Sequence, residues 1–168
     1  GNEVYGSWET GYTPDGKVYG EHFIRFYDAM KEVDPDIYIG LVVNVEHQQG
    51  IDWSEDVLSV PGVSERVDFL IHHHYFLWVG HGDRTPEQIL ASASQIIDVK
   101  TRLDNLVRNH TDRTDIVYSI SEYNTCLPEN YHTVELTGGL FISKVLGLMT
   151  ELGIHSALLW DVQNGWNT

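Results

Sequence analysis

Apolar residues along the chain fall into four short runs, separated by longer stretches with helical spacing. Residues 37–45 (IYIGLVVNV) form a nearly continuous β-branched run, which predicts a strand buried on both faces. Residues 67–76 (VDFLIHHHYF) begin equally apolar and then turn to histidine and tyrosine. Residues 116–123 (IVYSISEY) alternate and end at a carboxylate, and residues 156–161 (SALLWD) make a fourth short strand. Residues 19–33 carry Phe23, Phe26, Tyr27 and Met30 at helical spacing, predicted to share one face. Residues 86–108 predict a single helix, with Thr85 as N-cap, Pro86 at the first position and Glu87 in the first turn. Residues 132–152 predict a further helix, ended by Gly153. No helix is predicted between the first two strands.

This alternation implies an α/β fold with a parallel sheet and helical crossovers. Polar and ionisable residues gather at the C-terminal ends of the strands: Asn44, His73 to Tyr75, Glu122 to Asn124, and Asp161 to Asn164. In α/β folds that edge is where ligands bind.

Length narrows the picture. At 168 residues the chain suits one domain but is too short for a complete (β/α)₈ barrel, which needs about 200 residues or more. The 42% hydrophobic content is enough for a sizeable core. Acidic residues outnumber basic ones, 25 against 10, for a net charge of −15. That balance argues against nucleic acid as a partner, and equally against an anionic membrane surface. No run reaches the roughly 18 apolar residues of a transmembrane helix. The lone Cys126 excludes an intramolecular disulfide framework. Compartment stays open between cytoplasmic and secreted or periplasmic.

Two glutamates stand out as candidate chemistry. Glu122 ends an apolar strand in Ser121-Glu122-Tyr123-Asn124, where a carboxylate beside hydrophobic neighbours needs partners. Glu3 lies in Gly1-Asn2-Glu3-Val4-Tyr5-Gly6-Ser7-Trp8, a segment that reads as an ordered loop. Two carboxyl groups facing one another about 5–5.5 Å apart are what a retaining glycosidase needs, one as nucleophile and one as acid/base. A rival is a zinc site drawn from His72, His73, His74, His81 and Asp83. No His-Glu-x-x-His or Cys-x-x-Cys pattern accompanies that cluster, so no metal is expected.

At the motif level the chain resembles the clan A glycoside hydrolases, and is most similar to the family 51 α-L-arabinofuranosidases. Gly1-Asn2-Glu3, with Gly6 and Trp8 following, resembles the acid/base region. The stretch Phe26 to Ile37 resembles the helix and turn after it. His73 and Tyr75 resemble the sixth-strand His-x-Tyr motif, and Ser121-Glu122-Tyr123-Asn124 resembles the nucleophile motif, with Tyr123 where the family usually has Trp. Leu158-Leu159-Trp160-Asp161 falls where the clan places an aromatic residue on the eighth strand.

The resemblance implies that Glu3 is the general acid/base and Glu122 the nucleophile. It further implies that Asn2 bonds the sugar 2-hydroxyl, that Tyr75 holds the nucleophile, and that Trp160 forms part of a sugar platform. Trp8, Trp78 and Trp166 become candidates for stacking on sugar rings. No cofactor is implied, because both steps use carboxylates and water. The resemblance starts at the end of the fourth barrel strand, so residues 1–168 are expected to be the C-terminal half of the catalytic barrel, with the N-terminal half missing. Four strands leave two open edges. Leu41, Val43, Phe69, Ile71, Ile120 and Leu158 are expected to lie wet unless something covers them. The implied partners are a carbohydrate substrate and either the missing barrel half or a second copy of the chain. β-Xylosidase, β-glycosidase or agar-degrading activity, or an inactive carbohydrate-binding fragment, stay open.

Overall fold

A computed structural model of the chain describes residues 1–77, 84–125 and 131–161. Trp78, His81, Asp83, Cys126, Asn164 and Trp166 lie outside the described residues. The elements run α1 (Gly16–Val33), β1 (Gly40–Val42), α2 (Gln48–Ser59), β2 (Phe69–Phe76), α3 (Pro86–Ser92), α4 (Gln95–His110), β3 (Val117–Thr125), a 3₁₀ turn (Tyr131–Val134), α5 (Leu136–Glu151) and β4 (Ser156–Leu159). The four strands form one parallel sheet in the order β1-β2-β3-β4. This sequential order is the one the strand and helix alternation predicts. Leu41 of β1 lies opposite Leu70 of β2, and the Val43 N–H donates to the Ile71 carbonyl at 2.9 Å. By compactness the chain divides into two units: residues 1–72 with 101–119, and residues 73–100 with 120–168.

In the first unit, the Asp15 side chain caps α1 by accepting from the Lys17 N–H at 2.9 Å. The buried residues of α1 are Gly16, Gly20 and Phe23. Phe26 and Met30 were expected beside Phe23 but are exposed, at 68% and 41%. The glycines explain the difference. A methyl group at Gly16 would collide with the Trp53 carbonyl, and one at Gly20 would reach the Val57 carbonyl at 2.9 Å. The helix therefore turns its glycine face, not its aromatic face, toward α2.

The α2 helix was not anticipated, because Gly50, Asp52, Ser54 and Asp56 are weak helix formers. Its buried residues are Gly50, Trp53, Ser54, Val57 and Leu58, which is the period of a helix packed on one side. The β1 run is not buried on both faces as expected. Ile39, Leu41, Val43 and Val45 are buried, while Gly40, Val42 and Asn44 are half-buried, so cover is complete on one face only. Leu41, Val43 and Ile120 are thus fully buried rather than wet. Phe69 and Ile71 are half-buried, and Leu158 is 52% exposed.

The single helix expected over residues 86–108 is two helices. Thr85 and Gln88 form a reciprocal capping box at the start of α3. The break follows from serine chemistry: Ser92 Oγ donates to the Ile89 carbonyl and Ser94 Oγ to the Ala91 carbonyl. The Ser94 and Ile96 N–H groups also reach back three residues instead of four, which tightens the turn and ends the α-helix. In the second unit Phe76 meets Phe141 edge-on, with ring centroids 5.0 Å apart. Ile89, Ile96, Val145 and Met149 are also buried. Helix α5 starts at Leu136, later than expected, because residues 131–134 take the 3₁₀ turn. It ends at Glu151, and Gly153 follows with a φ of +71° that suits glycine.

Basic side chains bind main-chain oxygens. Arg113 Nη1 donates to the carbonyls of Ser64 and Val67 at 3.0 and 2.7 Å, while its Nη2 pairs with Asp115. Arg66 donates to the Gly62 carbonyl, Arg102 to Val45, and Lys144 to Leu90. Lys31 donates to the Pro35 and Ile37 carbonyls and pairs with Asp68. Among the described residues no helix is long and apolar enough to cross a membrane.

Candidate active site

In the second unit, Glu122 sits near the C-terminal end of β3, with its side chain 18% exposed. The Tyr75 hydroxyl donates to Glu122 Oε2 at 2.7 Å. His73 Nδ1 lies 3.5 Å from the same oxygen. Strand alternation produces this arrangement. Along β2, Leu70, His72, His74 and Phe76 are buried, while His73 and Tyr75 take the less buried face. His74 lies edge-on to Phe76, with ring centroids 4.3 Å apart. The triple-histidine run thus divides by parity, and its middle member is the one beside the carboxylate.

Strand β4 adds an aromatic neighbour. The Trp160 N–H donates to the Tyr123 carbonyl at 3.1 Å, and Asn124 Nδ2 donates to the Trp160 carbonyl at 2.9 Å. The Trp160 side chain is left 54% exposed. Tyr123 points the other way and is buried, which pushes its phenol up from the ordinary value.

In the first unit, residues 1–13 fold into a closed loop. The Gly6 N–H donates to the Glu3 carbonyl at 2.7 Å, Glu9 to Gly6 at 3.1 Å, and Tyr12 to Glu9 at 3.1 Å. The Thr13 N–H closes the loop on the Val4 carbonyl at 2.7 Å. Trp53 of α2 anchors it, donating from Nε1 to the Thr13 carbonyl at 2.9 Å and meeting the Tyr5 ring edge-on at 5.8 Å. Within this loop the Trp8 indole N–H donates to Glu3 Oε2 at 2.6 Å. Asn2 Nδ2 donates to Glu9 Oε1 at 3.1 Å. Glu3 has φ of +33°, a left-handed conformation that costs a non-glycine residue about 1–3 kcal/mol and persists only where the surroundings impose it.

Within the second unit, the structure brings His73, Tyr75 and Glu122 together and sets Trp160 against the residues that follow Glu122. Within the first it joins Glu3 to Trp8 and gives Asn2 a partner in Glu9. The metal alternative divides differently from the sequence cluster: His72, in the first unit, lies 3.3 Å by Nδ1 from the Val43 carbonyl and 3.4 Å by Nε2 from Glu46 Oε1. Two contributors carried no role in the sequence reading. Glu9 is seven positions from Asn2, a spacing with no helical or strand meaning. Asn124 was visible only as the last letter of a motif.

No protein-family model and no curated protein sequence matches the chain. Solved structures do match in fold. An α-L-arabinofuranosidase from Thermotoga maritima, solved as an arabinose complex, has a TM-score of 0.71 and 22% identity, over 96% of this chain and 33% of that one. The GH51 α-L-arabinofuranosidase of Thermotoga petrophila gives 0.68 and 22%, over 96% and 33%. The GH51 arabinofuranosidase of Xanthomonas axonopodis pv. citri gives 0.72 and 14%, over 95% and 35%. The chain spans about a third of the length of the structures it matches. It therefore has an α/β fold that corresponds to part of the barrel of family 51 glycoside hydrolases.

Proposed function

We propose that the chain is part of the catalytic barrel of a retaining glycoside hydrolase. It acts on plant-type oligosaccharides or polysaccharides and releases α-L-arabinofuranosyl residues. The observation that carries this reading is the Glu122 carboxylate, held through Oε2 by Tyr75 and flanked by His73. A nucleophile must be held in a fixed orientation, and a hydroxyl donor at one carboxylate oxygen does that. With Oε2 held, Oε1 is the oxygen that attacks the anomeric carbon.

In the first step the bond from Glu122 Oε1 to the anomeric carbon forms as the glycosidic bond breaks. The leaving oxygen takes the proton from Glu3. In the second step water attacks the anomeric carbon, gives its proton to Glu3 and releases Glu122. Asn2 serves the 2-hydroxyl. The exposed face of Trp160 serves as a sugar platform. No cofactor takes part. Likeness in fold to three arabinofuranosidases supports the choice of sugar. The remaining barrel strands come from the rest of a longer polypeptide or from a second copy of the chain.

The test is hydrolysis of 4-nitrophenyl α-L-arabinofuranoside, with the anomer of the first product read by proton NMR. The expected result is retention, abolished by Glu122→Gln. Glu3→Gln should impair good leaving groups least, since those need little protonation. Turnover of a β-xyloside or β-glucoside alone would move the reading to another clan A activity. Sugar binding without turnover would make the chain a carbohydrate-binding fragment.

A further inference from the structure

We propose that Trp8 is a positioning residue for Glu3: its indole N–H fixes the orientation of the acid/base carboxyl and governs the pH range over which that carboxyl keeps its proton. This inference rests on the role assigned to Glu3 under Proposed function. The carrying observation is the 2.6 Å hydrogen bond from Trp8 Nε1 to Glu3 Oε2. An acid/base residue must offer its proton along one direction. A donor at Oε2 fixes the carboxyl plane and leaves Oε1 as the oxygen that carries the proton.

Three further features show that the contact is built into the loop. The Trp8 ring lies over Gly6, where a Cβ would collide with Cε2 and Cζ2 of the indole. Only glycine at that position lets the ring fold back toward Glu3. The Tyr5 ring meets Trp8 edge-on with centroids 6.3 Å apart, and Tyr5 in turn meets the buried Trp53. Rigidity therefore passes from α2 through Trp53 and Tyr5 to the indole. The left-handed backbone of Glu3 is the third feature: its carbonyl is held by the Gly6 N–H while its carboxyl is held by Trp8. Trp8 is 69% exposed, an exposure that burial in a core does not explain.

A donor to a carboxylate favours the ionised form. Removing it should make Glu3 keep its proton to higher pH. Trp8→Phe keeps the ring and loses only the N–H. Gly6→Ala keeps the N–H and displaces the ring. Both should move the alkaline limb of the kcat/KM profile upward by about one pH unit and leave the acidic limb in place. Both should lower kcat more for poor leaving groups than for 4-nitrophenyl. Independently of turnover, the Trp8 indole ¹H–¹⁵N resonance, assigned by its loss in Trp8→Phe, should titrate with pH in the 168-residue chain. In Glu3→Gln it should not.

An unshifted alkaline limb in both variants, or an indole resonance that ignores Glu3, would overturn the proposal. A wild-type chain without glycosidase activity counts against the functional reading. The indole titration then decides the positioning role alone.

Discussion

Tyr75 and Glu122 are 47 positions apart in sequence, and the hydroxyl of one donates to the carboxylate of the other at 2.7 Å across neighbouring strands β2 and β3. Both side chains project from regular strand backbone, so their meeting is set by sheet register. A site built in this way is held to tighter tolerance than one assembled from loops.

Replacing Tyr75 by Phe removes this donor and keeps the ring. Turnover should fall about 10–100-fold, as for the loss of a single hydrogen bond to a charged group. The unfolding free energy from urea titration should change by no more than about 1 kcal/mol, because the phenyl ring keeps its packing. A large loss of stability with unchanged kcat would show that the bond serves the fold instead.

The glycine face of α1 makes a prediction about packing. Gly20→Ala places a methyl group 2.9 Å from both the Val57 carbonyl and Val60 Cγ2. Overpacking of this kind costs about 1–3 kcal/mol. Gly16→Ala should cost at least as much, because its methyl group would overlap the Trp53 carbonyl more closely than the Gly20 methyl overlaps the Val57 carbonyl. Chemical denaturation of the two variants checks the order.

Arg113 bridges the Ser64 and Val67 carbonyls. Arg113→Ala leaves both without this donor, beside a Val67 that is fully buried. The expected destabilisation is about 2–3 kcal/mol, measured by urea titration. Arg113→Lys should restore part of it, since one ammonium can serve one of the two carbonyls well.

Stability should fall in alkali. Burial pushes the Tyr19 phenol from 10.0 up to about 12, against a smaller opposing effect of the hydrogen bond it accepts from the Val42 N–H. Tyr118 is also raised, by burial first and then by its bond to Asp104. The neutral phenol is the folded form, so the contribution of Tyr19 is whole below pH 10 and is lost as pH rises through about 12. It amounts to at most about 3 kcal/mol, reduced by screening because the ring is partly exposed. Unfolding free energies from pH 8 to 12 should show the decline, and Tyr19→Phe should flatten it while lowering the plateau at neutral pH.

The strand order was legible in the sequence because it follows from period, whereas the pairing of Tyr75 with Glu122 was implied by the motif resemblance and not by period. Four apolar runs fix the strands, and alternation puts His73 and Tyr75 on the side opposite the buried His72 and His74. What was illegible depends on contacts that no repeating interval announces. Which side of α1 is buried depends on α2, since Phe26 and Phe23 look equally apolar until Gly16 and Gly20 are seen as the surface of close approach. The break between α3 and α4 depends on whether two serine hydroxyls bond backward, a choice that propensity does not reveal. The closed loop around Glu3 is built from turns, and Asn2, Trp8 and Glu9 meet within it without any repeating interval.

The arginines and lysines that grip main-chain oxygens alter how the chain responds to its solvent. Lys31, Arg66, Arg102, Arg113 and Lys144 are five of the ten basic residues, set against 25 acidic ones. With at least half of its positive groups employed as internal braces, the molecule meets water as a polyanion whose carboxylates repel one another. Added salt screens that repulsion, with a Debye length of about 10 Å at 0.1 M, and leaves contacts near 3 Å to neutral carbonyls nearly untouched. A fold that tolerates moderate brine better than distilled water is the consequence.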